Sequence, residues 1–265
     1  MYRPDITTLE AFYASPLGKE VRQELCAVLR QIIRAQDVPF SSQEAGCAIG
    51  YALPYWPFIQ AHGRFNALVM PGRQGSATVE GKSGKNAALL SRTYQLPFQD
   101  SAFQVIWCMH ALEYAENPQL VLQECWRVLK PRGKLVLVAP NRIGLWARAE
   151  STPFGHGIAF YRSQLQILLE GAGFGHIEAE RTLFTMPSYH LAKGNLSPIM
   201  RLLMKLVPPL SGAWVMAAEK NVYAGLQVPS QETKPEYRPV WQPSGSMRCR
   251  ESANISQKDL NTELK

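Results

Sequence analysis

The chain has 265 residues, of which 46% are hydrophobic, and a net charge of +7 at pH 7. This length is enough for one α/β domain with a sizeable core. The N-terminus is polar, so we expect no secretory signal. No apolar run reaches about 18 residues, so we expect no transmembrane span. The five cysteines are scattered without a C-x-x-C pair and no H-E-x-x-H pattern occurs, so we expect reduced thiols, a cytoplasmic protein and no metal site.

The first 36 residues predict a helical arm. Asp5 is placed to cap a short first helix, and residues 19–34 carry Val21, Leu25 and Ile32 at the spacing of one helical face. Charged residues occupy the opposite face. We expect this arm, residues 1–36, to pack on the edge of the main domain.

The main domain, residues 37–226, contains seven segments with the composition of strands. They lie within 37–50 and at 66–70, 87–90, 103–109, 134–140, 177–184 and 213–219. A helix capped by Asn117 with Pro118 at its first position precedes the fifth strand, whose continuous apolar run KLVLVAP indicates burial on both faces. Strands that alternate with helices predict an α/β fold with a doubly wound, mostly parallel sheet.

Two later segments have a different character. Residues 199–207 predict a short helix. Its pattern is consistent with four roles: a lid, a dimer contact, a membrane-surface contact or ordinary packing on the domain. From residue 227 the chain is polar and rich in proline, so residues 227–265 are predicted to be a disordered tail.

The most informative stretch is residues 96–141. It contains LPF, then a buried strand, HALE at positions 110–113, and RVLKPRG followed by another strand. In this order and spacing the stretch resembles class I S-adenosylmethionine (SAM)-dependent methyltransferases of the broad small-molecule group, and a weaker resemblance extends over residues 44–174. The resemblance implies a Rossmann-like fold and SAM as cofactor.

The same resemblance places the cofactor turn after the first strand, at residues 44–51. The family pattern is an acidic residue, any residue, then G-x-G-x-G. Glu44, Gly46 and Gly50 match it, Ala48 replaces the central glycine, and Cys47 lies between them. These five residues are therefore the predicted cofactor-binding turn, since glycine allows close approach of the backbone to a ligand.

Three further positions depart from the family pattern. The second strand ends at Met70, where an acid that binds the ribose is usual, and loss of that hydrogen bond predicts about ten- to a hundred-fold weaker cofactor binding. Near residue 92 an Asp is usual, and here Tyr94 either stacks on the adenine or packs against the sheet. The fourth strand begins Phe103-Gln104, where an Asp is usual.

Two histidines are candidates for the chemistry. His110 follows the fourth strand directly, where it would contact the cofactor or act as a base, and a structural histidine is the alternative. His156 lies between two glycines in the long loop after the fifth strand, which predicts a mobile tip with a general base, or an ordinary surface histidine. The chain has no G-x-S-x-G hydrolase elbow.

Three hypotheses follow. The first is a SAM-dependent methyltransferase for a small molecule, such as a lipid or a quinone-like precursor. The second is a catalytically inactive methyltransferase-fold protein that binds or regulates a partner, either another protein or a second copy of itself. The third is an RNA methyltransferase, which the net charge favours, although the chain has no recognisable RNA-binding module. A set of basic residues could attract nucleic acid, but a solvated rim around the end of one strand is its ordinary interpretation. These are Arg127, Lys130, Arg132, Lys134, Arg142 and Arg148.

Overall fold

A computed structural model describes residues 4–35, 45–61, 65–72, 87–187 and 211–222, together with 74, 75, 77 and 79. The predicted helix at 199–207 and the predicted tail at 227–265 lie outside the described residues. No helix in the described part of the chain combines the length and apolarity that a membrane crossing requires.

The described residues form a seven-stranded sheet in the order β3-β2-β1-β4-β5-β7-β6. All neighbours pair in parallel except β7, which is antiparallel to both β5 and β6. The predicted doubly wound, mostly parallel α/β fold is therefore confirmed. The strands are β1 Ala45–Gly50, β2 Phe65–Pro71, β3 Ala88–Ser91, β4 Phe103–Met109, β5 Leu129–Pro140, β6 Phe174–Thr182 and β7 Ala213–Lys220.

Five α-helices in the described residues cover both faces of this sheet. Side chains alternate along each strand, so Ala48 joins the hydrophobic cluster beneath the N-terminal helices while Cys47 and Ile49 join the cluster beneath α4 and α5. The helices are α1 Ile6–Ala14, α2 Pro16–Ala35, α3 Trp56–Ala61, α4 Pro118–Val128 and α5 Arg162–Gly171.

The N-terminal helices contribute directly to the core. Asp5 caps α1 as predicted, since its side chain accepts a hydrogen bond from the Thr8 backbone N–H. In α2 the apolar face is fully buried, with Val21, Leu25 and Leu29 at 0% exposure. This helix contacts β6, the outermost strand, and its neighbour β7, so it covers one sheet face at that edge.

The topology fixes where a ligand should bind. The chain runs from β1 outward to β2 and β3, and then returns to place β4 on the other side of β1. In open α/β sheets, ligands occupy the crevice beyond the carboxyl ends of the strands at the point where strand order reverses. Here that point lies between the end of β1 at Gly50 and the end of β4 at Met109.

Candidate functional site

The glycine-containing segment differs from the predicted turn. Strand β1 runs from Ala45 to Gly50, so Gly46, Cys47 and Ala48 lie within the sheet, and Cys47 and Ala48 are fully buried. The prediction of a turn at residues 44–51 is wrong, because hydrogen bonds to β2 and β4 continue the strand to its last residue. Glu44 lies outside the described residues.

Gly50 is the residue at which the chain leaves the sheet. Its φ is +88°, and a Cβ there would lie 2.2 Å from the carbonyl oxygen of Met109 in β4. Glycine is therefore required at this position by both the backbone conformation and the close strand contact. Tyr51 and a short 3-10 turn at Leu53–Tyr55 follow.

A buried histidine–glutamate pair lies at the end of β4. His110 has a φ of +48° and is 3% exposed, and its Nδ1 lies 2.9 Å from Oε1 of Glu113, which is 1% exposed. Since a carboxylate only accepts hydrogen bonds, Nδ1 carries the proton and Nε2 is left as the acceptor. An imidazole held in this way by a carboxylate has the arrangement of an oriented general base.

Aromatic side chains enclose this pair. The Tyr13 hydroxyl, from α1, lies 2.6 Å from Nε2 of His110 and 2.9 Å from the Tyr55 hydroxyl. The Phe154 ring stands edge-on to the imidazole at 4.9 Å, and Tyr51 lies 5.9 Å from Tyr13. Burial raises the pKa of Tyr13 and Tyr55 well above their ordinary value, so both phenols stay protonated near neutral pH.

A cavity of about 420 Å³ opens at the carboxyl ends of β2 and β3, next to Ala111 and Tyr114, which adjoin the pair in the chain. Pro71, Gly72, Tyr94 and Ala111 are among the residues that line it. Gln74, which is 3% exposed, also lines it; its Nε2 donates to the His110 carbonyl at 3.4 Å, and its Oε1 has no hydrogen-bond partner among the described residues. A buried acceptor without a partner is costly.

The remaining predicted site residues are placed as follows. The Met70 side chain is fully buried in the hydrophobic core, away from the cavity lining. Tyr94 is 45% exposed at the cavity, with the Arg92 guanidinium 6.0 Å from its ring centre. His156 lines a different cavity, of about 600 Å³, between α1 and the loop after β5.

The glycines on either side of His156 pack closely against neighbouring backbone. A Cβ at Gly157, where φ is +86°, would lie 2.6 Å from the carbonyl oxygen of Glu113, and the Ile158 N–H donates to that same oxygen at 2.8 Å. Glycine therefore permits close packing at this position. Sequence reasoning also missed Tyr13, Gln74 and Glu113; of these, Glu113 had a signal, since an H-x-x-E spacing directly after a buried strand brings the two side chains together.

Part of the chain is similar to known methyltransferases. Residues 44–137 match a family model described as "Methyltransferase domain". The chain is 32% identical over 103 residues to 27-O-demethylrifamycin SV methyltransferase of Amycolatopsis mediterranei, covering 36% of this chain and 38% of that one. It is 33% identical over 91 residues to a probable SAM-dependent methyltransferase of Mycolicibacterium smegmatis, covering 34% of each. The chain spans half or less of the length of the curated relatives it matches.

Solved structures show the same fold. A SAM-dependent methyltransferase of Thermotoga maritima, a possible histamine N-methyltransferase, superposes with a TM-score of 0.52 at 16% identity, covering 81% of this chain and all of that one. A methyltransferase bound to the Trm112 activator of Haloferax volcanii superposes with a TM-score of 0.54 at 14% identity, covering 83% of this chain and all of the other.

Proposed function

We propose that this chain is a class I SAM-dependent methyltransferase that transfers a methyl group from SAM to a small, largely apolar molecule, such as a lipid or quinone-like precursor. The names of two relatives support this substrate class, since one acts on 27-O-demethylrifamycin SV and another is a sterol 4-C-methyltransferase of Caenorhabditis elegans. The observation that carries the proposal is the buried His110–Glu113 pair at the strand-order reversal, beside an open cavity.

The cavity suits the nucleoside half of the cofactor. Its volume of about 420 Å³ falls in the range of small-molecule sites, and Tyr94 offers a partly exposed ring on which a base can stack. Oε1 of Gln74 is a buried acceptor without a partner among the described residues, which matches a ribose hydroxyl donor. The second strand has no acid at its end to bind the ribose. We assign that ribose contact to Gln74 instead.

The chain's own residues then handle the proton of the acceptor. Bound SAM supplies an electrophilic methyl group. His110 Nε2 receives the proton of an acceptor hydroxyl, while Glu113 keeps Nδ1–H oriented and stabilises the positive charge on the ring. The surrounding rings of Tyr51, Tyr55 and Phe154 exclude water, which strengthens that ion pair.

Calorimetric titration with SAM and with S-adenosylhomocysteine tests this proposal. We expect a Kd of about 1–100 µM. Gly72 lines the cavity and a Cβ there would meet no atom within 4 Å, so Gly72→Trp adds bulk at the site while Gly72→Ala is a matched control. Gly72→Trp should weaken binding at least about tenfold and Gly72→Ala should not. Absence of heat and of thermal shift at millimolar SAM in the unmodified chain would contradict the proposal.

A second candidate function is a partner-binding protein without catalysis. The specific observation in its favour is that Tyr13 fills the crevice at the strand-order reversal. The fold is also shared by the methyltransferase that was solved with its Trm112 activator. A protein of this kind should ignore SAM and co-purify with another chain, or with a second copy of itself, in defined stoichiometry.

A cytoplasmic location remains part of the proposal. The four cysteines among the described residues, Cys26, Cys47, Cys108 and Cys125, are free thiols. Burial raises the pKa of Cys108 to about 12, and burial also raises the pKa of Cys47 and Cys125. Buried thiols of this kind are unreactive and are typical of proteins from reducing compartments.

A further inference from the structure

The crevice at the strand-order reversal is filled by a phenol that belongs to this chain. Tyr13 reaches from α1 between the ends of β1 and β4 and is 8% exposed. Its ring stands edge-on to Tyr55 and to His110, each at 5.8 Å, and lies tilted against Tyr51 at 5.9 Å. The position at which the topology places a ligand is therefore shaped as a pocket for a single aromatic ring.

The hydroxyl of this phenol has the geometry of a reacting group. Since Glu113 holds the proton on Nδ1 of His110, the Tyr13 O–H donates to Nε2, and their 2.6 Å separation is the distance at which a general base takes a proton. Tyr55 provides a second hydrogen bond to the same oxygen at 2.9 Å. Because burial keeps Tyr13 protonated, Tyr13 is a donor here and not itself the base.

The α1 helix is short, and Ile6 and Phe12 pack partly against the core beside its buried residues. Of its nine residues, Leu9 and Tyr13 are buried, and its first backbone N–H, on Ile6, donates to the Gln74 carbonyl at 2.8 Å. A helix of this length is unstable on its own and is held by docking. The outer flank of α1, at Thr8 and Phe12, faces the cavity of about 600 Å³, so the helix has space into which it can shift.

We propose that Tyr13 is an internal stand-in for the methyl acceptor, and that the acceptor is a phenol whose hydroxyl replaces that of Tyr13 on His110. This inference rests on the proposed methyltransferase function. An aromatic hydroxyl fits better than an aliphatic one because the pocket is lined by rings. A phenol, with a pKa near 10, also passes its proton to imidazole more readily than an aliphatic alcohol does.

The proposed reaction is the methylation of a phenol oxygen. The phenol oxygen forms a bond to the methyl carbon, and the bond between that carbon and the sulfonium sulfur breaks, with its electron pair going to sulfur. The phenol proton passes to Nε2 of His110 and gives an imidazolium paired with Glu113. The products are an aryl methyl ether and S-adenosylhomocysteine, and the imidazolium then releases its proton to solvent.

Binding of p-cresol, the side chain of tyrosine as a free molecule, tests the inference without requiring turnover. Toluene is the matched probe without the hydroxyl. Tyr13→Ala opens the pocket, and Tyr13→Phe keeps the packing while it frees Nε2, so the test survives if Tyr13→Ala does not fold. We expect both variants to bind p-cresol more tightly than the unmodified chain does, and the Tyr13→Ala variant to prefer p-cresol to toluene by about tenfold. His110→Leu in the Tyr13→Ala background should abolish that preference.

Hydrogen exchange of the α1 amides tests whether a phenol displaces Tyr13 or whether Tyr13 is an ordinary core residue. In the unmodified chain, excess p-cresol should speed exchange of the α1 amides at least about tenfold, because the phenol competes with Tyr13 and opens the helix. Unchanged α1 exchange, together with equal affinities for p-cresol and toluene in the variants, would overturn the inference. SAM titration is independent of this outcome, so a chain that binds SAM but fails the p-cresol tests refutes the phenol acceptor alone.

Discussion

At the scale of single residues, the site depends on groups that occupy unusual positions. His110 takes a positive φ, which is uncommon for a residue other than glycine, and this turns its ring back toward Glu113 and Tyr13. Gln74 is buried with an amide oxygen that has no hydrogen-bond partner among the described residues. Costs of this kind are tolerated at functional sites, where a ligand completes the interactions.

The assigned role of Gln74 can be measured. Replacement of Gln74 by Leu removes the proposed ribose acceptor at nearly constant volume, so we expect the Kd for SAM to rise about three- to ten-fold. The matched control is Gln95→Leu, which changes an exposed glutamine outside the cavity lining and should leave the Kd unchanged. Calorimetric titration of both variants is the measurement, and equal SAM affinity in the two variants would remove Gln74 from the site.

At the scale of elements, local signals placed most boundaries within a few residues. Strand β4 occupies residues 103–109 as predicted, and β2 and β7 are each extended by one or two residues. The Asn117-Pro118 signal begins α4, because the Asn117 side chain accepts from the backbone N–H groups of Gln119 and Leu120. The bounds of strand β1 were predicted poorly because AGCAIG lacks the β-branched run that marks a buried strand. These residues form a strand because they pair with β2 on one side and with β4 on the other.

The cap of α4 gives a prediction at this scale. Asn117→Ala leaves two helix N–H groups without their side-chain acceptor, so we expect the free energy of unfolding to fall by about 1 kcal/mol. Asn117→Ser retains a capping oxygen and should lie within about 0.5 kcal/mol of the unmodified chain. Urea unfolding monitored by circular dichroism measures both, and a loss as large in the Ser variant would show that the cap is not the cause.

At the scale of the whole molecule, the charge distribution bears on the hypothesis of RNA methylation. Several of the basic residues considered above lie in ion pairs: Arg127 with Asp100 and Glu124, and Arg132 and Lys134 with Glu219. Arg127 also donates to the Leu96 and Phe98 carbonyls, so it ties the loop before β4 to α4. These ion pairs partly neutralise the basic set, which favours a solvated rim rather than a nucleic-acid surface as its role.

This reading predicts weak binding to RNA. Fluorescence anisotropy of the full chain with a labelled 20-nucleotide RNA should give a Kd no tighter than about 1 µM at 150 mM salt, since non-specific binding lies at about 1–100 µM. An affinity in the nanomolar range with a steep loss on added salt would instead favour the RNA hypothesis. A protein with the same net charge and no nucleic-acid function, such as a size-matched basic enzyme, provides the control.

The amino-acid sequence by itself determined the fold class, since alternating helices and apolar strands, caps and breakers are local properties that a single chain displays. It also located His110 at the end of a strand, and the order of motifs in residues 96–141 carried the resemblance to class I SAM-dependent methyltransferases. Only the tertiary structure decided which residues meet at the site. Tyr13 and His110 are 97 positions apart, and Gln74 reaches the His110 carbonyl across 36 positions. Contacts of that kind arise from strand order and helix docking, which periodicity does not encode.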